Sequence, residues 1–267
     1  MNRAALTALS LTATIGLALP AGLSGCSLPG RQDSVGSTHL VVTRGPRITE
    51  RSLAGVHAFN PNGSIRVLVD PSLDRPEITA RRRGAGDTGI GIDARTEIGL
   101  NRMNLVVEVT DASEVGAPID LVIWTPSCGE VLIEGSGGTV ELVGVSGQIN
   151  VQRGADGQPG GDVLLRTNGD IPGPVNIFTN EGDVRILAGT GSAGQFELVA
   201  DDGEVSFSAS AGEVRQVRPT ESRWTGVVNQ GRHAFTVRTL RGDVEVRLAE
   251  GDRDQLQQFN WRGHRRP

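Results

Sequence analysis

The chain has 267 residues, enough for one large or two small domains with a real core; it carries 37 Gly, 13 Pro and only 3% aromatic residues, with no Tyr. All 26 basic side chains are Arg, set against 31 acids for a formal charge of −5. A mildly acidic chain has little electrostatic hold on a polyanion, so nucleic acid is not expected as a partner. Abundant Gly with scarce rings points to a β protein of tight turns around a Val, Ile and Leu core.

The first 25 residues read as a secretory signal peptide: Arg3 in a short n-region, an apolar run from Ala4 to about Leu19, then small residues at Ala21, Gly22, Ser24 and Gly25. The run is too short, and too closely followed by Pro20, for a comfortable membrane span. "LSGC", Leu23 to Cys26, resembles the bacterial lipobox. That resemblance implies cleavage between Gly25 and Cys26 and a thioether-linked diacylglycerol on Cys26, hence membrane lipid as a partner and palmitate-type acylation. Loss of residues 1–25 removes one charge, Arg3, and takes the formal charge to −5 − 1 = −6. With Cys26 lipidated, Cys128 has no partner, so no disulfide framework is expected, and Cys128 reads as a small buried residue at a turn. Residues 26–47, rich in Gly, Ser and Pro, read as a flexible tether.

Residues 48–249 carry the folded part, an irregular first portion over 48–110 followed by regular repeats over 111–248. From Gly129 onward one phrase recurs: "GEVLI", "GTVEL", "GQINV", "GDVLL", "GPVNI", "GDVRI", "GQFEL", "GEVSF", "GEVRQV" and "GDVEV". Alternating apolar positions such as Val163/Leu165 and Val184/Ile186 over four or five residues are short, half-buried strands. Gly161, Gly182 and Gly203 lie 21 apart, and Gly173 and Gly194 repeat that interval between them. A fixed period near 20 holding strand-and-turn units signals a β-solenoid of about 21 residues per turn. On that reading Val163, Val184 and Val205 occupy one position on three successive turns. The alternative is an antiparallel β-sandwich of regular hairpins, which also spaces strands by about 8–12 residues.

The runs "HAFNPNGSIRVLV", "DRPEITARRR" and "APIDLVIWTPSCGEVLIEGSGGTVELVGVSGQINV" resemble the bacterial envelope family labelled putative adhesin, of unknown function and related to the toast-rack β-solenoids. The residues that carry the likeness are an entry motif, Asn60, Gly63, Ile65 and Val67, and a strand ending in Pro, Ile123 to Pro126, with stacked Gly-acid-Val rungs after them. It covers about residues 55 to 248. It implies a fold and brings no site residues with it.

Several local patterns suggest chemistry and have plainer explanations. Arg241 to Asp243 spells RGD, yet Gly242 and Asp243 are the repeat's own Gly and acid. Gly84, Gly86 and Gly89 satisfy G-x-G-x-x-G without a following helix. "GADGQPGGD" has the composition of a calcium roll but not its tandem repeat, which leaves a loose calcium site around Asp156, Asp162, Asp201 or Asp202 as an open alternative. The four His (39, 57, 233, 264) form no metal-binding spacing, and no metal or cofactor is expected. Arg81 to Arg83 read as a solvated basic cluster. Residues 250–267 read as a C-terminal cap or tail, with Asp252 able to cap a short helix carrying Leu256 and Phe259.

The expectation is therefore a non-catalytic, lipid-anchored protein of the cell envelope, facing the periplasm or cell exterior, that serves as a scaffold or binding surface for an envelope protein or polysaccharide. Two alternatives stay open: a polysaccharide-active enzyme, which needs acids converging on one groove, and an envelope-stress signalling accessory.

Overall fold

The computed structural model describes residues 40–44, 55–83, 90–98, 103–111, 117–154 and 157–250. They hold β1 (Leu40–Arg44), β2 (Gly55–Asn60), β3 (Ile65–Val69), β4 (Glu77–Arg82), β5 (Ile90–Ile98), β6 (Met103–Asp111), β7 (Ile119–Thr125), β8 (Glu130–Gly135), β9 (Val140–Val143) and β10 (Gln148–Arg153). There follow β11 (Val163–Arg166), β12 (Val175–Thr179), β13 (Val184–Ala188), β14 (Gly194–Asp202), β15 (Val205–Ala209), β16 (Val214–Pro219), β17 (Arg223–Val228), β18 (Ala234–Arg241) and β19 (Val244–Leu248). The described residues contain no α-helix. Gly at most strand entrances and β-branched residues at the alternating positions disfavour helix and suit a pleated, half-buried surface.

The strands form two mixed sheets. Sheet A runs β1-β4-β7-β3-β9-β11-β13-β19-β15, and sheet B runs β5-β6-β2-β8-β10-β12-β18-β14-β17-β16. Consecutive strands pair off into rungs, one strand in each sheet. Along the stack the rungs come in the order β6/β7, β2/β3, β8/β9, β10/β11, β12/β13, β18/β19 and β14/β15, all parallel to their neighbours. Antiparallel pairing, which the sandwich alternative expects throughout, occurs only at the margins: β1 and β4 beyond β7, β5 beyond β6, and β17 and β16 beyond β14.

Register turns the alternation into ladders. In sheet A, Leu121, Ile65, Val140, Val163, Val184, Val244 and Val205 follow one another across the strands. In sheet B the corresponding ladder is Leu105, Val56, Val131, Ile149, Val175, Phe235 and Phe196. All but Val205, on the outermost rung, are buried in one hydrophobic cluster that draws on both sheets. Each such side chain contributes about 1.5–3 kcal/mol of burial. At the β14/β15 end the core closes on rings: Phe196 stacks on Phe235 at 4.0 Å, and Phe207 stacks on Trp224 at 4.1 Å.

The order of rungs corrects the simple 21-residue solenoid. Val163 and Val184 are neighbours as expected, but Val205 is not the next residue up: Val244 pairs with both Val184 and Val205. After β12/β13 the chain leaves one slot empty, builds β14/β15, turns back through β16 and β17, and fills the slot with β18/β19. The 21-residue interval survives because the two offsets differ by it: 244 − 184 = 60, 244 − 205 = 39, and 60 − 39 = 21. "GEVRQV" is likewise no rung. It forms β16, an antiparallel edge strand with a bulge between Arg215 and Arg218 and every residue exposed. The bulge, Arg215, Arg218 and Pro219 blunt that edge against further pairing. The portion expected to be irregular, 48–110, supplies β2/β3 and β6, and β6 with β7 fills the slot between β2/β3 and the antiparallel margin.

The Gly-acid phrase has a physical cause at the corner between the sheets. Gly182 and Gly242 have φ of 110° and 134°, and a Cβ at either would collide with the backbone of the corner glycine one rung away, Gly161 and Gly182 respectively. Only Gly permits both the conformation and the approach. The acid beside it ties rungs together. Asp162 accepts the N–H of Asp183 at 2.9 Å, Asp183 that of Asp243 at 3.0 Å, and Asp243 that of Glu204 at 2.9 Å.

Arg153 lies fully buried at the same end of sheet B's strands, in the row of Asn60, Gly135, Thr179 and Thr239. Its Nη2 donates to the carbonyls of Gly63 and Ser136, both at 2.8 Å, and of Gly137. Gly135 on the adjoining strand leaves the room, since a Cβ there would press on Nη1. Desolvation lowers the guanidinium pKa to about 10.

Candidate binding face

The outer surface of sheet B is built by the same alternation that builds the core. In β12, Val175, Ile177 and Thr179 are buried, which turns Asn176 and Phe178 outward. In β2, Ala58 and Asn60 are buried, which turns His57 and Phe59 outward. Register extends these positions into two rows running across the strands. One holds Thr236, Asn176, Asn150, Leu132 and His57; the other holds Arg238, Phe178, Gln152, Glu134 and Phe59. Asn176 Nδ2 donates to Asn150 Oδ1 at 3.3 Å, and Phe59 is 43% exposed.

Beyond Thr236 and Arg238 the face sinks into a depression of about 430 Å³, lined by Glu197, Val199, Asp201, Ser222, Arg223, Thr236 and Arg238. Its charges are matched. Arg223 Nη2 donates to Glu197 Oε1 at 2.8 Å, and Arg238 donates to Asp201 Oδ2 from Nη2 at 2.6 Å and Nε at 3.1 Å. These pairs are about half exposed, so each contributes no more than about 1 kcal/mol to stability. Their planar groups remain available to a ligand that offers hydroxyls.

At the other end of the face, Arg95 on β5 reaches Asp93, Glu97 and Glu108 at 2.8, 3.2 and 2.8 Å. The hydrogen bond from Arg95 holds the Glu108 carboxyl below the usual carboxylate range. His57 Nε2 stands 3.4 Å from Asn104 Nδ2 and 4.0 Å from Glu130 Oε1. Cys128, close by in the fold, belongs to the core; burial pushes its thiol up to about 12, and Sγ donates to Glu130 O at 3.2 Å. A thiol so held is not a nucleophile near neutral pH.

The residues singled out in the sequence disperse. Gly25 and Cys26, Gly84 to Gly89, Asp156, His39 and His264, and the segment 251–267 with its expected helix all lie outside the described residues. The RGD tripeptide forms the corner between β18 and β19, with Arg241 paired to Glu181 and Asp243 engaged by the N–H of Glu204, so two of its three residues are occupied in holding rungs together. Of the calcium candidates, Asp162 accepts the Asp183 N–H and Asp201 pairs with Arg238. Among the described residues no three His, Cys, Asp or Glu side chains converge as a metal site. Of Arg81 to Arg83, Arg81 and Arg83 are exposed as expected and Arg82 is buried, which corrects the solvated reading for that residue alone; Arg83 makes a two-pronged bond to Asp120 at 2.7 and 2.6 Å that raises its pKa. His57 and His233 fall on different rungs, the latter just before β18.

The face itself went unread in the sequence because neighbouring members are 18 to 75 residues apart along the chain, Leu132 to Asn150 and His57 to Leu132. A signal was present: Phe59 in "HAF" and Phe178 in "VNIF" fall on outward positions of the alternation, in a chain with six Phe.

No protein-family model matches the chain, and no curated protein matches it. Solved structures do. A "putative cell adhesion protein" of Clostridium sporogenes aligns over 80% of this chain and 100% of its own, at 11% identity and TM-score 0.46. A "putative adhesin" of Bacteroides fragilis aligns over 79% and 97%, at 9% identity and TM-score 0.27. A "Putative lipid binding protein" of Parabacteroides distasonis aligns over 82% and 96%, at 9% identity and TM-score 0.21. At these identities and TM-scores no residue of this chain acquires a role from them.

Proposed function

We propose that this is a non-catalytic binding protein of the cell envelope, anchored by lipid on Cys26 and presenting the outer face of sheet B to its ligand. The parallel rungs are read as a β-solenoid with two slots filled out of sequence order, a stiff slab suited to broad, shallow contact. The observation that carries the binding reading is the pairing inside the depression: its two carboxylates, Glu197 and Asp201, are each bonded to an arginine. A glycosidase instead needs one carboxyl free to hold a proton and a second placed to attack or to activate water.

Co-sedimentation with purified cell-envelope fragments tests this. The expected result is retention of the protein on the fragments with no release of reducing sugar or unsaturated product. Release of either product on prolonged incubation, or the absence of retention, would overturn the reading.

A further inference from the structure

We infer that the ligand class of this face is an extended, uncharged glycan laid across the strands, with its sugars stacked on Phe59 and Phe178; this rests on the binding-face reading above. The chain is poor in rings, and their placement is informative. Of its six Phe, five are among the described residues, and Phe196, Phe207 and Phe235 close the end of the core. The remaining two lie in a single outward row, Phe59 exposed and Phe178 half-buried, with Glu134 and Gln152 between them. That is three strand spacings, about 14 Å. An extended chain of β-linked sugars advances by roughly one strand spacing per ring, so the two Phe meet sugars about three units apart. The negative face of an aromatic ring attracts the polarised C–H groups of a sugar face.

The groups around the two rings match hydroxyls. Asn150, Asn176 and Gln152 carry amides that both donate and accept, and the row ends at the depression, where the Arg238–Asp201 pair can meet the adjacent hydroxyls of a terminal sugar. Charge decides against an acidic polymer. Glu134 stands between the rings, on the strand next to Phe59, and is exposed, and every basic side chain lining the depression already faces a carboxylate. A peptide is disfavoured on other grounds. Strand addition needs a free backbone edge, whereas β2, β8, β10, β12 and β18 each have a strand hydrogen-bonded on both sides.

The test is titration of the purified chain, by calorimetry and by the side-chain amide signals of Asn150 and Asn176, with neutral hexasaccharides of β-1,4-glucan, β-1,3-glucan and β-1,4-mannan. A hyaluronan hexasaccharide forms the acidic arm. Binding of at least one neutral oligosaccharide is expected. Phe59→Ala and Phe178→Ala should each weaken it about tenfold, and the double variant should abolish it. Both variants should keep the wild-type melting temperature, because these rings lie outside the core, and Ser206→Ala on the outer face of sheet A should leave binding unchanged. Failure of all three neutral hexasaccharides to bind, or binding that survives the double variant, overturns the inference. Binding of hyaluronan alone, lost on Phe178→Ala, would refute the uncharged class and leave the binding face standing. Loss of envelope co-sedimentation as well would remove both.

Discussion

Val184 and Val205 occupy the same place in the repeat, 21 residues apart, and do not touch: Val244 is paired with both of them. Adjacent strands lie about 4.8 Å apart, so Val184 and Val205 stand about 9.6 Å from each other. In a background lacking Cys128, paired cysteines at 163 and 184, at 184 and 244, and at 244 and 205 are expected to bridge where side-chain geometry allows. The 184 and 205 pair should stay reduced, since a disulfide tolerates roughly 4.4–6.8 Å between Cα atoms. Bridging of 184 to 205 in the folded chain, read by mass spectrometry, would place β14/β15 directly on β12/β13.

Arg153→Ala should destabilise the fold by about 3 kcal/mol or more. It would remove a donor from the carbonyls of Gly63, Ser136 and Gly137, of which Ser136 keeps the Gly63 N–H, and leave a cavity in place of the guanidinium. Arg153→Lys should recover only part of this, because an ammonium cannot reproduce the planar fork. Urea denaturation measures both; a loss below about 1 kcal/mol for the alanine variant would show that the buried cation's desolvation cancels its bonds.

Cys128 should resist alkylation in the native state. Raising the thiol pKa from 9.0 to about 12 reduces the thiolate fraction near pH 8 roughly a thousandfold, before burial of the sulfur slows attack further. The thiol binds its proton more tightly folded than unfolded, so this contribution to stability is fully present below pH 9 and is lost as pH rises from 9 toward 12. Iodoacetamide labelling at pH 8 with and without denaturant is the check, and equal rates in both would refute the burial.

Gly242→Ala should cost several kcal/mol, since the corner combines a φ of 134° with contact against Gly182. Arg185→Ala, on the solvent side of β13, should stay within about 0.5 kcal/mol. Equal losses would mean that the corner relaxes and that Gly is kept there for another reason.

Strand positions and their inward and outward faces were legible because each sheet keeps one face in water, which writes period-2 alternation into the chain. The order of rungs was not, because β14/β15 fits the 21-residue period on β12/β13 as well as it fits its true place on β18/β19. One cue did exist. Asp162, Asp183 and Asp243 each accept an N–H from the next rung, whereas the terminal rung carries Glu204 at that position. That contrast holds only at the entrances of sheet A's strands, since Gly129-Glu130-Val131 opens the interior strand β8 of sheet B. Arg153 was invisible for a different reason, since its partner Gly63 lies 90 residues away. The binding face needed the register before its two rows could be drawn.

The most direct test of the binding face compares two double variants with the same change of charge. Asn150→Glu with Asn176→Glu alters the outer face of sheet B, and Ser206→Glu with Ser208→Glu alters the outer face of sheet A at β15. Co-sedimentation with envelope fragments should be lost in the first and kept in the second, with both proteins melting near the wild-type temperature. Equal retention by the two, or loss confined to the β15 variant, would contradict the assignment of sheet B as the surface that binds.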